Sequence, residues 1–288
     1  MKSLHSFLET IRVEHTIFAL PFAYATLFLV SGGWPDIDAF IWITLAMVGA
    51  RTVGMGLNRI IDARVDAANP RTATRAIPAG RLSVAKAGAF TAVAAVLFIA
   101  AVWQLDPVCR WCWPLPLVAM TTYPYAKRFT PFAHLFLGLV YFMIPTAVWI
   151  AVTGELSGVA VTLGIGAALW VAGFDVIYAC QDVEVDRREG LRSFPADFGV
   201  PTALGVARAF HAGFIVCLFI VAQMIHAGSW FYAGIVLVAL AFTYEHRLVS
   251  PKDLSRVNAA FFTVNGVVSI VLFVLIALEM VTGWRSLR

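Results

Sequence analysis

Nine apolar stretches dominate this chain and decide what it can fold into. They run at Thr16 to Val30, Ala39 to Leu57, Val84 to Trp103, Trp113 to Tyr125, Phe132 to Val152, Gly158 to Cys180, Ala203 to Ile225, Trp230 to Tyr244 and Val257 to Val281. A membrane-spanning helix needs about 20 mainly apolar residues, so nine of them occupy about 180 of the 288 residues. Only 13% of the chain is Asp, Glu, Lys or Arg and 60% is hydrophobic, against roughly 25% charged in a soluble domain. A soluble core, a secreted disulfide scaffold and a disordered chain are excluded. The expected architecture is an all-α membrane protein with nine transmembrane helices, the fourth and eighth being short. Gly32, Gly33 and Pro35, Asn69 and Pro70, Asp106 and Pro107, and Pro251 with Lys252 mark membrane exits.

The scarce cations set an orientation, because short loops rich in Lys and Arg stay cytoplasmic. Arg59, Arg64, Arg71, Arg75 and Arg81 fall in one connection, Lys127 and Arg128 in another, Arg187, Arg188 and Arg192 in a third, and Arg247, Lys252 and Arg256 in a fourth. The alternate loops offer Arg110 alone. The N terminus is therefore expected in the cytoplasm and the C terminus outside, in the cell inner membrane. The net charge of +4 reads as topology plus anion binding, and nucleic acid is not expected as a partner. Glu9 and Glu14 interrupt the basic start, so no signal peptide is expected.

Asn58, Asp62 and Asp66 recur at i, i+4 and i+8, which puts them on one face of a helix leaving the membrane. Asp182 and Asp186 repeat the spacing, and the same stripe extended backwards collects Tyr178 and Asp175. Like charges at this spacing weaken a helix by a few tenths of a kcal/mol, and carboxylates at a membrane boundary need a cation between them. Oxygen-only ligands suit Mg²⁺, which completes its shell with water and phosphate; a closed zinc site would want His and Cys. Rimmed by Arg71, Arg75, Arg81, Lys127 and Arg128, the two stripes describe a diphosphate pocket. For any single arginine, a solvated loop charge is the competing reading.

The chain also repeats itself. Arg75-Ala-Ile-Pro78-Ala79 follows the first stripe and Arg192-Ser-Phe-Pro195-Ala196 the second, and Tyr123-Pro-Tyr-Ala-Lys-Arg is echoed by Tyr244-Glu-His-Arg. A single domain over 1–288 is expected, with repeat-like four-helix halves at about 1–130 and 131–256 and a ninth helix at 257–283; sites in such proteins commonly lie where repeats meet.

Asn58-Arg-Ile-Ile-Asp62-Ala-Arg-Val-Asp66, then Arg71-Thr and Arg75-Ala-Ile-Pro-Ala-Gly, and finally Tyr178-Ala-Cys-Gln-Asp182-Val-Glu-Val-Asp186 resemble the UbiA superfamily of intramembrane prenyltransferases. Within it the sequence is most similar to 4-hydroxybenzoate polyprenyltransferases and to relatives that prenylate a naphthoate in menaquinone synthesis. The resemblance implies a helix bundle around a central cavity that opens sideways to lipid. It implies that Asn58, Asp62, Asp66, Asp182 and Asp186 hold Mg²⁺ and the diphosphate of a polyprenyl donor, with Arg71, Lys127, Arg128 and Tyr178 at the diphosphate. Departure of the diphosphate would leave an allylic cation, which aromatic faces can stabilise by about 0.5 to 2 kcal/mol each. The implied activity is transfer of the prenyl group to an aromatic acid, in ubiquinone or menaquinone synthesis.

Asp175, in Gly173-Phe-Asp175-Val-Ile-Tyr178-Ala, corresponds to a family aspartate that orients or deprotonates the aromatic acceptor; the competing reading is a buried acid paired with Arg51 or an Asn. Arg12 corresponds to a basic position near the aromatic substrate, where a guanidinium fork suits a carboxylate, and is equally readable as a topology-setting arginine. His15 is left unassigned. Asn258 and Asn265, seven apart on the last stretch, suit hydrogen bonds between helices. Cys109 and Cys112 form a CxxC on the outer side that could close a disulfide if that side is oxidising; Cys180 and Cys217 read as packing residues. From another class, a cation-coupled secondary transporter would also show repeats and membrane carboxylates, but near the bilayer midplane.

Overall fold

The computed structural model describes residues 2–11 and 19–283. Arg12 and His15 lie outside these described residues. The described chain is helical: α1 Lys2–Ile11, α2 Leu20–Ser31, α3 Ile37–Ile61, α4 Ala63–Ala68, α5 Val84–Val102, α6 Cys109–Cys112, α7 Pro114–Ala126, α8 Ala133–Thr153, α9 Gly158–Ala179, α10 Val183–Arg188, α11 Phe194–Phe198, α12 Val200–Met224, α13 Ser229–Leu248 and α14 Asn265–Leu278. A wide π turn, Ala259–Val264, leads into α14. Local chemistry sets several ends. The Asp36 carboxylate accepts from the amides of Asp38 and Ala39 at the start of α3, and Gly154 closes α8 with φ 73°, a left-handed conformation that costs glycine little.

The described part of each of the nine apolar stretches carries a helix, yet six candidate spans are long and apolar enough to cross a membrane among the described residues: α3, α5, α8, α9 with its continuation to Arg188, α12, and Ala259–Thr282. The described part of the first stretch, α2, has 12 residues and α7 has 13, about 18 to 20 Å of rise against a hydrocarbon core of about 30 Å. The eighth stretch is on α13, which ends in Tyr244, Glu245, His246 and Arg247. The chain is a multi-pass membrane protein. Its outward faces agree, since Leu97, Val118 and Leu240 are each more than 60% exposed, and apolar surface on this scale needs lipid to cover it.

The bundle is organised around α9. Over the most apolar 18 residues of each span, 67% are buried in Gly158–Arg188, against 28–39% in the other five. α9 packs between α8 and α12, α3 packs on α5 and α7, and α14 closes against α2 and α13. Trp170 is fully buried and stacks on Phe214 with ring centroids 5.5 Å apart. Small residues set the closest approach: a Cβ on Gly138 of α8 would lie 2.8 Å from the Ala168 carbonyl oxygen of α9. Thus α9, which carries the second aspartate motif at its end, is held on both sides by close packing.

Candidate active site

Each aspartate motif is broken at its first aspartate, which corrects the expectation of one straight helical face. α3 stops at Asp62 (φ −94°, ψ 8°) and resumes as α4. After α9 a short 3-10 turn ends at Asp182 (φ −102°, ψ 3°), and the chain resumes as α10. Asp66 and Asp186 therefore ride on short helices beyond the breaks, both buried. On a straight helix the like charges would face each other; here each carboxylate reaches its own partners.

Arg71 grips Asp182 with two parallel bonds, Nε to Oδ1 at 3.1 Å and Nη2 to Oδ2 at 2.7 Å, the planar fork that favours arginine over lysine. Its third nitrogen donates to the Tyr178 hydroxyl at 2.9 Å. Asn69 adds a 3.1 Å bond to Asp182 Oδ1. Asp66 is paired with Arg75 at 2.6 Å and Arg59 at 3.6 Å. Asp62 accepts from Asn58 at 3.0 Å and from Arg128 at 3.3 Å. Asp186 accepts from Ser193 at 2.7 Å, with Lys127 Nζ at 3.8 Å. Arg188 of α10 donates to the Ala68 carbonyl at the end of α4 at 2.8 Å, so the two short helices are tied together. Arg81 does not join this rim: it pairs with Glu9 of α1 at 2.7 Å.

The charges are poised rather than neutralised. Burial pushes the Asp62 carboxyl up to about 6, Arg128 opposing and Asp66 reinforcing the shift. Burial acts to lower Lys127, but Asp186 and the other aspartates more than offset it and hold the ammonium protonated above its ordinary range. Burial and Asp182 oppose each other in the same way at Arg71, which ends raised.

No three His, Cys, Asp or Glu side chains gather around one point among the described residues. The donor set nevertheless fits Mg²⁺, which takes one or two carboxylates and fills its shell with water and phosphate. Asp66 Oδ2 is buried without a hydrogen-bond partner, and Asp62 sits where another positive charge would lower the cost of its ionisation.

These groups line one end of a cavity of about 640 Å³. The far end is formed by Leu105, Cys109, Cys112, Trp113 and Leu156, and along α3 the lining runs from Ile43 to Asp62, about 28 Å of helix rise. Between the ends the wall is mostly apolar, with Phe174, Tyr178 and Phe261 in mutual ring contact. Asp175 lines the cavity, and its partner is neither Arg51 nor an asparagine but the buried His134, whose Nδ1 lies 2.6 Å from Oδ2. Arg51 donates to the Ile11 carbonyl. Asn265 bonds to Trp170 and Glu245 across helices, while Asn258 is exposed. All four cysteines are free. Asn69, Ser193 and His134 escaped the sequence reading. Ser193 had a signal, since it lies inside the repeated Arg-x-x-Pro-Ala segment; Asn69 read as a turn residue, and His134 had none.

The comparisons agree with this geometry. The chain is similar to the 4-hydroxybenzoate octaprenyltransferase of Aromatoleum aromaticum, 28% identical over 96% of this chain and 94% of the relative, and to that of Vibrio atlanticus, 29% identical over 83% and 84%. Among solved structures, the apo form of a UbiA homolog from Aeropyrum pernix K1 superposes with a TM-score of 0.83 at 33% identity, covering 93% of this chain and 99% of that one. A UbiA homolog from Archaeoglobus fulgidus bound to DMAPP and Mg²⁺ shares the fold, with a TM-score of 0.72 at 17% identity over 96% and 99%. Residues 19–267 match the UbiA prenyltransferase family, and the chain belongs to that family of enzymes.

Proposed function

We propose that this enzyme transfers a polyprenyl group from polyprenyl diphosphate to an aromatic hydroxy acid of the 4-hydroxybenzoate type, with Mg²⁺, in quinone biosynthesis. The observation that carries the reading is the gathering of both aspartate motifs, Arg71 and Lys127 at one end of a mostly apolar cavity. That shape is complementary to a diphosphate head on a hydrocarbon tail, and relatives along most of the chain bear the name of this activity.

Asn58, Asp62, Asp66, Asp182 and Asp186 would hold Mg²⁺, which would supply positive charge at the departing diphosphate. Arg71, Lys127 and Arg128 bind its oxygens and stabilise the charge that grows as the carbon–oxygen bond breaks; Tyr178, bonded to Arg71, orients that guanidinium. The electron pair leaves with the diphosphate. Phe174, Tyr178 and Phe261 present ring faces to the allylic cation and keep water from it. Asp175 accepts the acceptor's hydroxyl proton, raising electron density at the ortho carbon, which supplies the pair for the new carbon–carbon bond. Loss of the ring proton from that carbon restores aromaticity, and the net reaction releases one proton. Arg12 is proposed for the acceptor's carboxylate.

The wider reading places the chain in the inner membrane as one domain of nine spans, halves at about 1–130 and 131–256 and a last helix at 257–283, with the site facing the cytoplasm. Helices on all nine apolar stretches and the matching breaks at Asp62 and Asp182 support it.

The test is product analysis by mass spectrometry, using membranes that contain the protein, octaprenyl diphosphate and a panel of acceptors. Prenylated 4-hydroxybenzoate is expected with Mg²⁺ and not with EDTA. Asp62→Ala or Asp182→Ala should each lower the rate by about 10²-fold or more; full activity in either would overturn the assignment. Prenylation of a dihydroxynaphthoate alone would move the enzyme to menaquinone synthesis.

A further inference from the structure

We propose that His134 is a positioning residue for the acceptor half of the reaction: from α8 it fixes Asp175 of α9 so that one carboxylate oxygen is committed to the imidazole and the other is left for the substrate hydroxyl. The proposal rests on the aromatic-acceptor reading above.

His134 is 2% exposed and does not line the cavity, whereas Asp175 does. The only hydrogen bond of the imidazole among the described residues joins Nδ1 to Asp175 Oδ2 at 2.6 Å, and Nε2 is buried with no partner. That asymmetry fixes the tautomer. A buried N–H without an acceptor costs more than a bare ring nitrogen, so the proton sits on Nδ1 and is donated to the carboxylate. With Nδ1 donating, the carboxylate oxygen acts as the acceptor of that bond, and the other oxygen is left for the proton that a general base takes.

Tyr123 and Lys127 at the end of α7 and Tyr141 on α8 also interact with Asp175 through space and make no hydrogen bond to it among the described residues. The Asp175 side chain is 15% exposed, and its exposure is to the cavity. Without His134 the carboxylate could turn about its side-chain torsions toward Lys127. His134 thus sets where the base points while remaining out of reach of the substrate.

The test compares His134→Leu, which removes the donor at similar volume, with His134→Asn, whose amide can donate from the position of Nδ1. Expected for His134→Leu is a fall in kcat of about 10-fold to 100-fold, part of the roughly 10²–10⁴-fold that a positioned base contributes. The KM for the aromatic acid should rise and the KM for polyprenyl diphosphate should stay unchanged. His134→Asn should recover activity to within a few fold. If His134→Leu does not assemble in the membrane, His134→Gln, whose amide reaches the Nε2 position instead, takes its place and should be impaired alike. Infrared difference spectra provide a readout independent of turnover: the carboxylate band lost in Asp175→Asn should shift in the donor-less variant. Wild-type kcat and acceptor KM in that variant, equal impairment in His134→Asn, or an unmoved Asp175 band would each overturn the proposal. A wild type that prenylates nothing in the acceptor panel would instead overturn the acceptor reading, and the band would still decide whether His134 holds Asp175.

Discussion

Arg71 shows how much one side chain can carry at this site. Two of its nitrogens hold both oxygens of Asp182 and a third holds Tyr178, so one planar group joins the loop after α4 to the second aspartate motif. Lysine offers one compact charge and no fork. Arg71→Lys is therefore expected to raise the KM for polyprenyl diphosphate about tenfold or more, the scale of one lost charged hydrogen bond of about 1.5 to 3 kcal/mol, as steady-state kinetics would show; an unchanged KM would remove Arg71 from the diphosphate. At this scale the sequence was informative where chemistry repeats. Asp62, Asp66, Asp182 and Asp186 announced themselves because the same spacing occurs twice. His134 could not, since its partner is 41 residues away, and neither could the bond from Asn69 across 113 residues to Asp182.

Two helix contacts give the elements their order. On α14, Asn265 accepts from Trp170 Nε1 of α9 at 2.6 Å and donates to Glu245 of α13 at 2.8 Å, all three side chains fully buried. Asn265→Leu leaves the indole N–H and the carboxyl without this partner, at about 1 to 3 kcal/mol for each group. A clearly lower melting temperature in detergent is expected. Between α8 and α9, Gly138→Ala drives a methyl group toward the Ala168 carbonyl, a backbone atom that cannot rotate away. The resulting overpacking should cost about 1 to 3 kcal/mol and, by displacing α9, lower prenyl transfer as well. Gly88 on α5 has open space where its Cβ would be, and Gly88→Ala should stabilise by about 0.5 to 1 kcal/mol. If Gly138→Ala melted like Gly88→Ala, close approach would not be what holds α9. Apolar periodicity located these helices but said nothing of which glycine touches which neighbour, because that depends on rotation about the helix axis.

For the whole molecule, orientation is the property to test. On a background without the native cysteines, Glu155→Cys should react with a membrane-impermeant maleimide added to intact cells, and Ser255→Cys only after permeabilisation; both positions are exposed in the structure. The reverse pattern would put the site on the outer side. The sequence by itself determined the membrane class, the helical stretches and the two aspartate motifs, because each follows from local composition: twenty apolar residues in a row and a spacing of four. Only the tertiary structure decided that each motif breaks at its first aspartate, that arginines hold Asp62, Asp66 and Asp182 while Ser193 and Lys127 hold Asp186, that Arg81 turns to Glu9, and that Asp175 leans on His134. Those outcomes depend on which charges meet when helices pack in three dimensions, and a buried carboxylate takes the partner that desolvation and geometry bring within about 3 Å, however far away that partner lies in the chain.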